Sequence, residues 1–167
     1  EPTLLIPPSG FVPCEGGQAG VYPCSGYDLQ AIVSLGTFEA SSGNDSWGWT
    51  DQLTGKEYVL MGLDNGTAFI DVTTPDQPIY LGKLSTATNP STWRDIKVYR
   101  NHAFIVSEAA NHGMQVFDLT RLREVTSKQN FTADARFTGF GNAHNIAINE
   151  SSGIAYVIGS SLYEGEP

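Results

Sequence analysis

Apolar and polar residues alternate in short runs along most of the chain, and each run ends at a turn-forming cluster. The clearest unit spans residues 92–119. Residues 95–99 place Ile96 and Val98 on one face, and Arg100-Asn101 forms a short polar turn. Residues 102–107 carry a buried-type run of Ala103, Phe104, Ile105 and Val106. A looser turn at 109–113 leads to 114–119, where Met114 and Val116 share a side. Runs of about five or six residues at period two, joined by short turns, predict an antiparallel meander.

This unit recurs on both sides. Residues 57–63 match 102–108, and 66–72 match 113–119. Downstream, 143–149 match 94–100, and 154–160 match 102–108 with a one-residue shift. Asp71 lies 47 residues before Asp118, and Ile96 lies 50 before Ile146. A repeat of about 40–50 residues carrying four strands is the period of a β-propeller blade. The expected fold class is therefore all-β. Two nearly complete blades of four-stranded antiparallel meanders (44–90 and 91–140) and a partial third (141–167) follow an N-terminal Pro/Gly-rich segment, residues 1–43. A ring needs at least about four blades, so the expected partners are the remainder of the same propeller or other copies of the chain.

The connections carry weaker signals. Residues 1–13 read as an extended linker or edge strand, and 40–45 as a polar loop. Residues 27–34 fit a short strand or one helical turn, with strand preferred. Residues 46–50 open the first blade, 51–56 form a turn insertion, and 79–84 form its fourth strand. Asp64-Asn65-Gly66 lacks the further acidic ligands of a calcium loop and reads as a hairpin turn. Residues 119–129 hold the one plausible helical turn, and 131–137 supply the second blade's outer strand.

Composition narrows the function classes. The formal charge is −9 with only nine Lys and Arg. A nucleic acid or an anionic membrane surface calls for a positive face, so neither is an expected partner. No apolar run approaches the ~20 residues of a membrane span. Cys14 and Cys24 are the only cysteines and lie in a Gly/Pro-rich stretch with little core to bury a thiol. A disulfide is the better reading, and it implies an oxidising compartment. Asn-X-Ser/Thr acceptors occur at Asn44, Asn65, Asn130 and Asn149, a surplus that points to a secreted glycoprotein.

The phrase at residues 66–82 resembles the LVIVD repeat: an apolar strand, Asp71, a turn ending at Pro78, then an apolar strand closing on Gly82. A longer set resembles the choice-of-anchor B family of secreted repeat proteins. It comprises Cys14, Tyr22-Pro23-Cys24, and residues 46–50, 91–99, 112–119 and 142–146. The resemblance covers about residues 14 to 160. It implies a β-propeller displayed outside the cell and held by varied C-terminal anchors, and it implies no particular reaction. By that resemblance, further repeats and an anchor are expected beyond these 167 residues.

Candidate chemistry gathers at strand starts, which converge at a propeller's channel mouth. Arg94-Asp95 and His144-Asn145 occupy equivalent positions, with Trp47-Gly48-Trp49 as the first blade's expected counterpart. Trp47, Trp49, Arg94, Asp95, His112, His144 and Asn145 are the candidate rim for a ligand or cation. Trp47, Trp49 and Trp93 suit either sugar stacking or the wedge between blades, with packing favoured. Asp71 and Asp118 recur at one repeat position and are expected to accept backbone N–H bonds from the following turn. No His pair has metal-ligand spacing and no nucleophile or phosphate-loop motif is present. No catalytic residue or cofactor is assigned, although a structural cation such as calcium remains an option.

The expected function is an extracellular or cell-surface module with a non-catalytic binding or structural role, its ligand a glycan or a protein. One alternative is a subunit of a surface filament or sheath. The other is a polysaccharide hydrolase or lyase using His102, His112 or His144 with Asp95 or Glu108. A histidine and a carboxylate within hydrogen-bonding reach in an open cleft would favour that last reading.

Overall fold

The computed structural model describes residues 10–162. Of the extended stretch expected at 1–13, residues 1–9 lie outside the described residues. Cys14 and Cys24 form the expected disulfide, their Cα atoms 5.9 Å apart. Inside this loop, β1 (Gln18–Ala19) and β2 (Tyr22–Pro23) pair antiparallel. The strand preferred at 27–34 does not form. Only Leu29 pairs, through one bridge to Val12, and the segment beyond it holds on by side chains.

Eleven strands follow in three sheets. β3 (Gly43–Thr50), β4 (Glu57–Leu63), β5 (Gly66–Asp71) and β6 (Ile79–Ser85) form the antiparallel meander of sheet 1. β7 (Arg94–Tyr99), β8 (His102–Ser107) and β9 (Met114–Asp118) form the second meander. A 3-10 turn at Leu119–Leu122 follows, capped by Asp118. β10 (Gln129–Phe131) then crosses back to pair parallel with β6 as a fifth strand of sheet 1. β11 (Ala135–Phe137) returns to β9 and completes sheet 2. β12 (Asn145–Asn149) and β13 (Ile154–Ile158) make the two-stranded sheet 3.

Three expectations change here. The outer strand at 131–137 is two short strands belonging to different sheets, so sheet 1 is not a purely antiparallel four-stranded unit. β3 begins at Gly43, three residues before the expected start, because a register shift between Gly43 and Ser46 lets the polar run 43–46 stay in the sheet. The match of 57–63 to 102–108 is one residue out. Tyr58 pairs with Asp71 as His102 pairs with Asp118, so Leu60 is equivalent to Phe104. Sequence similarity tolerates such a slip, but it would exchange the two faces of a strand. Arg100 and Asn101, both at positive φ (46° and 60°), make the tight β7–β8 turn as expected.

The core lies between sheets. Tyr58, Leu60 and Phe69 of sheet 1 meet Ile96, Ile105 and Phe117 of sheet 2. Phe69 and Phe117 stack at 4.5 Å, and Phe131 on the crossing strand meets both edge-on at 5.3 Å. The opposite face of sheet 2, with Phe104, Val106 and Met114, meets Ile146, Ile148 and Val157 of sheet 3. The outer face of sheet 1 is covered by Val33, Phe38 and Ala40 of the N-terminal segment. Lys83 Nζ fastens that segment by donating to Phe38 O at 2.8 Å. On sheet 3, Tyr156 and Ile158 occupy the positions of Phe104 and Val106, yet they are 53% and 51% exposed.

Candidate functional site

β3, β7 and β12 lie side by side, and their first residues converge at one end of the stack. Asp45, Asp95 and Asn145, each 50 residues from the next, stand at this end. Asp45 Oδ2 accepts the Ile96 backbone N–H at 2.9 Å. Asp95 Oδ2 accepts that of Ile146 at 2.7 Å. Each carboxylate thus pins the first strand of the next sheet. Beside them lies a cleft of about 150 Å³, lined by Asn44, Asp45, Trp93, Arg94, Asp95, His144 and Asn145.

The first-unit counterpart of Arg94-Asp95 is therefore Asn44-Asp45, not Trp47-Gly48-Trp49. The polar run before Trp47 reads as a loop, and the register shift in β3 hides its place in the repeat. The 45–95–145 spacing was the available signal.

The two aspartates are shifted in opposite directions. Burial, and then a hydrogen bond with Asp95, raises the Asp45 carboxyl above the usual range. For Asp95, burial pushes upward, but hydrogen bonds from Lys97, the Ile146 N–H and Asp45 outweigh it and hold the group low. Lys97 Nζ sits 2.7 Å from Asp95 Oδ1 and 4.3 Å from the centre of the Trp47 ring. Asp45 is therefore the weaker acid of the two.

Behind the cleft, Arg94 and His112 are both almost fully buried. Arg94 Nε donates to Leu63 O at 3.0 Å, and its Nη1 lies 3.0 Å from His112 Nε2. His112 Nδ1 lies 3.0 Å from Gly113 O. A carbonyl only accepts, so Nδ1 carries the proton and Nε2 accepts from Arg94. Burial lowers the His112 pKa to about 4 and that of Arg94 to about 10. His112 is a neutral framework residue, removed from the expected rim. Trp49 is also removed from it: the ring is 6% exposed, stacks on Tyr58 at 5.0 Å and donates to Asn101 Oδ1.

The accessible part of the cleft is different. Trp93 is 51% exposed, its ring centre 6.3 Å from that of His144. His144 Nδ1 is hydrogen-bonded to Glu108 Oε1, and both side chains reach solvent. His102 points elsewhere, its Nδ1 donating to Arg100 O at 2.8 Å. Asp71 and Asp118 accept the backbone N–H groups of Thr73 and Thr120 in the turns that follow them.

The four sequons occupy unlike settings. Asn44 lines the cleft. Asn65 Nδ2 donates to Glu39 O at 2.6 Å, while its Oδ1 accepts from Lys83. Asn130 is exposed on β10, and Asn149 Oδ1 accepts the Ser151 N–H in the β12–β13 turn. Among the described residues, no group of three metal-ligating side chains converges. A larger cavity of about 370 Å³, lined by Val33, Phe38, Val59, Met61 and Ile70, is apolar and has no titratable group in its wall. It offers no chemistry comparable to the cleft. Compared with family models, curated proteins and solved structures, the chain matches none. Among the described residues, no helix is long and apolar enough to cross a membrane.

Proposed function

We propose that the chain is part of an extracellular β-propeller that binds a ligand at its strand-start rim without transforming it. The observation that carries this reading is the cleft itself, assembled from equivalent positions 50 residues apart on three adjacent inner strands. Rigid strands are better mounts for a binding site than loops. The stacked meanders and their 47-residue repeat support a propeller, as does the resemblance to choice-of-anchor B proteins. The bare face of Tyr156 and Ile158 supports continuation of the stack by a further sheet, whose equivalents cover Phe104 and Val106. The disulfide and the sequons support an oxidising, extracellular setting.

The carboxylates favour binding over catalysis. Asp95 has both oxygens committed to Lys97 and to the backbone of Ile96 and Ile146. It holds the framework and is poorly placed to exchange protons with a substrate. One observation favours the hydrolase or lyase alternative: the Glu108–His144 pair at the open side of the cleft.

The test is a two-dimensional NMR titration following the Trp93 indole and His144 ring signals. The titrants are neutral sugars, short peptides and simple ions, with product monitored in the same tube. Shifts confined to the cleft without product support a binding module. New product signals would replace binding with catalysis, and an unresponsive cleft would remove the reading.

A further inference from the structure

We infer that the rim cleft is a subsite for a single neutral sugar ring, held by the Trp93 face and by the polar groups of Asn44, Asp45, His144 and Asn145. This inference rests on the binding reading above and names its ligand class. The argument runs by elimination and then by fit.

An anion is disfavoured, because Asp45, Asp95 and the nearby Glu108 all present oxygen atoms around the cleft. A bare cation is disfavoured as well. No three ligating side chains converge among the described residues, and Lys97 already neutralises Asp95. An apolar molecule would strip water from amides and carboxyls without replacing their hydrogen bonds, which is unfavourable.

A polyhydroxylated ring meets each of these conditions. Every hydroxyl both donates and accepts. Asn44 and Asn145 each donate one amide N–H to the protein, to Arg94 O and Asp95 Oδ2, which leaves each a second N–H and a carbonyl acceptor, and His144 adds a ring nitrogen. The ring's C–H face needs a flat apolar surface, and Trp93 offers one at the cleft wall. Its backbone is fixed, since Trp93 O accepts from Ser107 Oγ at 2.9 Å and from the Glu108 N–H at 3.2 Å. Half-exposed on a pinned strand start, the indole is presented without contributing to the cores of the three sheets. The cleft's volume of about 150 Å³ is that of about five waters at ~30 Å³ each, which seats one edge of a single ring and leaves its other hydroxyls in solvent.

The experiment uses the full chain with its disulfide intact. Glucose, galactose, mannose and N-acetylglucosamine are titrated singly up to high millimolar concentration, with calcium chloride, sodium sulfate and a neutral tripeptide in parallel. Saturation-transfer NMR reads contact, and the Trp93 indole signal reads location. At least one sugar is expected to bind with a dissociation constant in the millimolar range. Trp93→Ala should weaken it by about tenfold or more, and Trp93→Phe should recover part of the loss. An unchanged near-ultraviolet spectrum apart from the deleted indole checks that each variant is folded.

Sugar binding undiminished in Trp93→Ala overturns the inference. A peptide or ion moving the cleft signals while no sugar does also overturns it, but leaves the binding module standing. Silence from every probe removes both. Sugar contact accompanied by product supports the ligand class while overturning the non-catalytic reading.

Discussion

Asp95 Oδ2 accepts the backbone N–H of Ile146 at 2.7 Å, and its counterpart fifty residues earlier, Asp45, does the same for Ile96 at 2.9 Å. A hydrogen bond that recurs from sheet to sheet fixes how consecutive sheets are offset, which hydrophobic packing alone does not. Packing is non-directional, whereas a carboxylate reaching a particular N–H selects one register.

The Lys97 contact, made by Asp95 alone of the pair, makes different substitutions unequal. Asp45 is the weaker acid and accepts the Ile96 N–H, a role an amide oxygen can keep, so Asp45→Asn is expected to change stability by under about 1 kcal/mol. Asp95→Asn removes the anion facing Lys97 and should destabilise by about 2 kcal/mol. Asp95→Ala, which also strands the Ile146 N–H, should cost about 3 kcal/mol. Urea denaturation of the three variants checks the order. A larger loss for Asp45→Asn than for Asp95→Asn would refute that order.

Gly82 sits where β6 meets the crossing strand β10. Its φ is +137°, and a Cβ there would stand 1.9 Å from Gln129 O, the residue with which it pairs across β6 and β10. Gly82→Ala is expected to cost about 3 kcal/mol through strain and clash. It should release β10 before the rest of sheet 1. Hydrogen exchange at 129–131 accelerating ahead of β4 and β5 is the expected signature, and uniform acceleration would refute local release.

Legibility in the sequence follows the range of the interactions. The meander at 94–118 was readable because period-two alternation and tight turns are local signals, and Arg100-Asn101 needs no distant partner to make its turn. The crossing strand was not readable. Residues 129–131 pair with Gly82–Leu84, some 47 residues away, and nothing near Gln129 records that partner. The cleft was half readable. Arg94-Asp95 and His144-Asn145 stand out as equivalents, but Asn44-Asp45 is masked by the shifted register and by a polar neighbourhood that resembles a loop. The burial of Trp49 depends on which face of β3 meets the neighbouring sheet, and that of His112, in the β8–β9 connection, on the Arg94 side chain 18 residues earlier, which no local pattern records.

Two buried groups set separate pH windows. Burial lowers His112 to about 4, against an unfolded value near 6.5. Between those values the unfolded chain binds a proton and the folded chain does not, so stability falls as pH drops from about 6.5 to about 4. The loss is at most about 3 kcal/mol. His112→Gln keeps an acceptor for Arg94 without titrating there, and should flatten stability across that window. Asp51 acts lower. Arg123 grips it through two bonds of 2.8 and 2.7 Å, and that contact holds its carboxyl well below the usual range. Its contribution is complete above the unfolded value near about 4 and is lost as pH falls through the folded value. Arg123→Met should therefore alter the acid limb only, leaving the His112 window intact. Urea midpoints collected from pH 7 to pH 3 separate the two, and a His112→Gln curve parallel to the parent's between pH 6.5 and 4 would refute the assignment.

Tyr156 and Ile158 mark where the stack is open. Their equivalents Phe104 and Val106 lie against sheet 3, while Tyr156 and Ile158 themselves meet solvent. A half-buried two-stranded sheet with a bare apolar face is a docking surface for another sheet. The chain of 167 residues is therefore expected to self-associate at micromolar concentration through this face. Tyr156→Ser combined with Ile158→Ser should abolish that association and shift stability by only about 0.5 kcal/mol, since exposed positions contribute little to the monomer. Val157→Ser provides the contrast, because Val157 faces sheet 2. It should cost about 1–2 kcal/mol and leave association unchanged. Sedimentation velocity and denaturation on the same samples decide the matter. A monomeric parent chain would show that the bare face does not recruit a copy by itself, and a double variant as destabilised as Val157→Ser would show that the face is already packed.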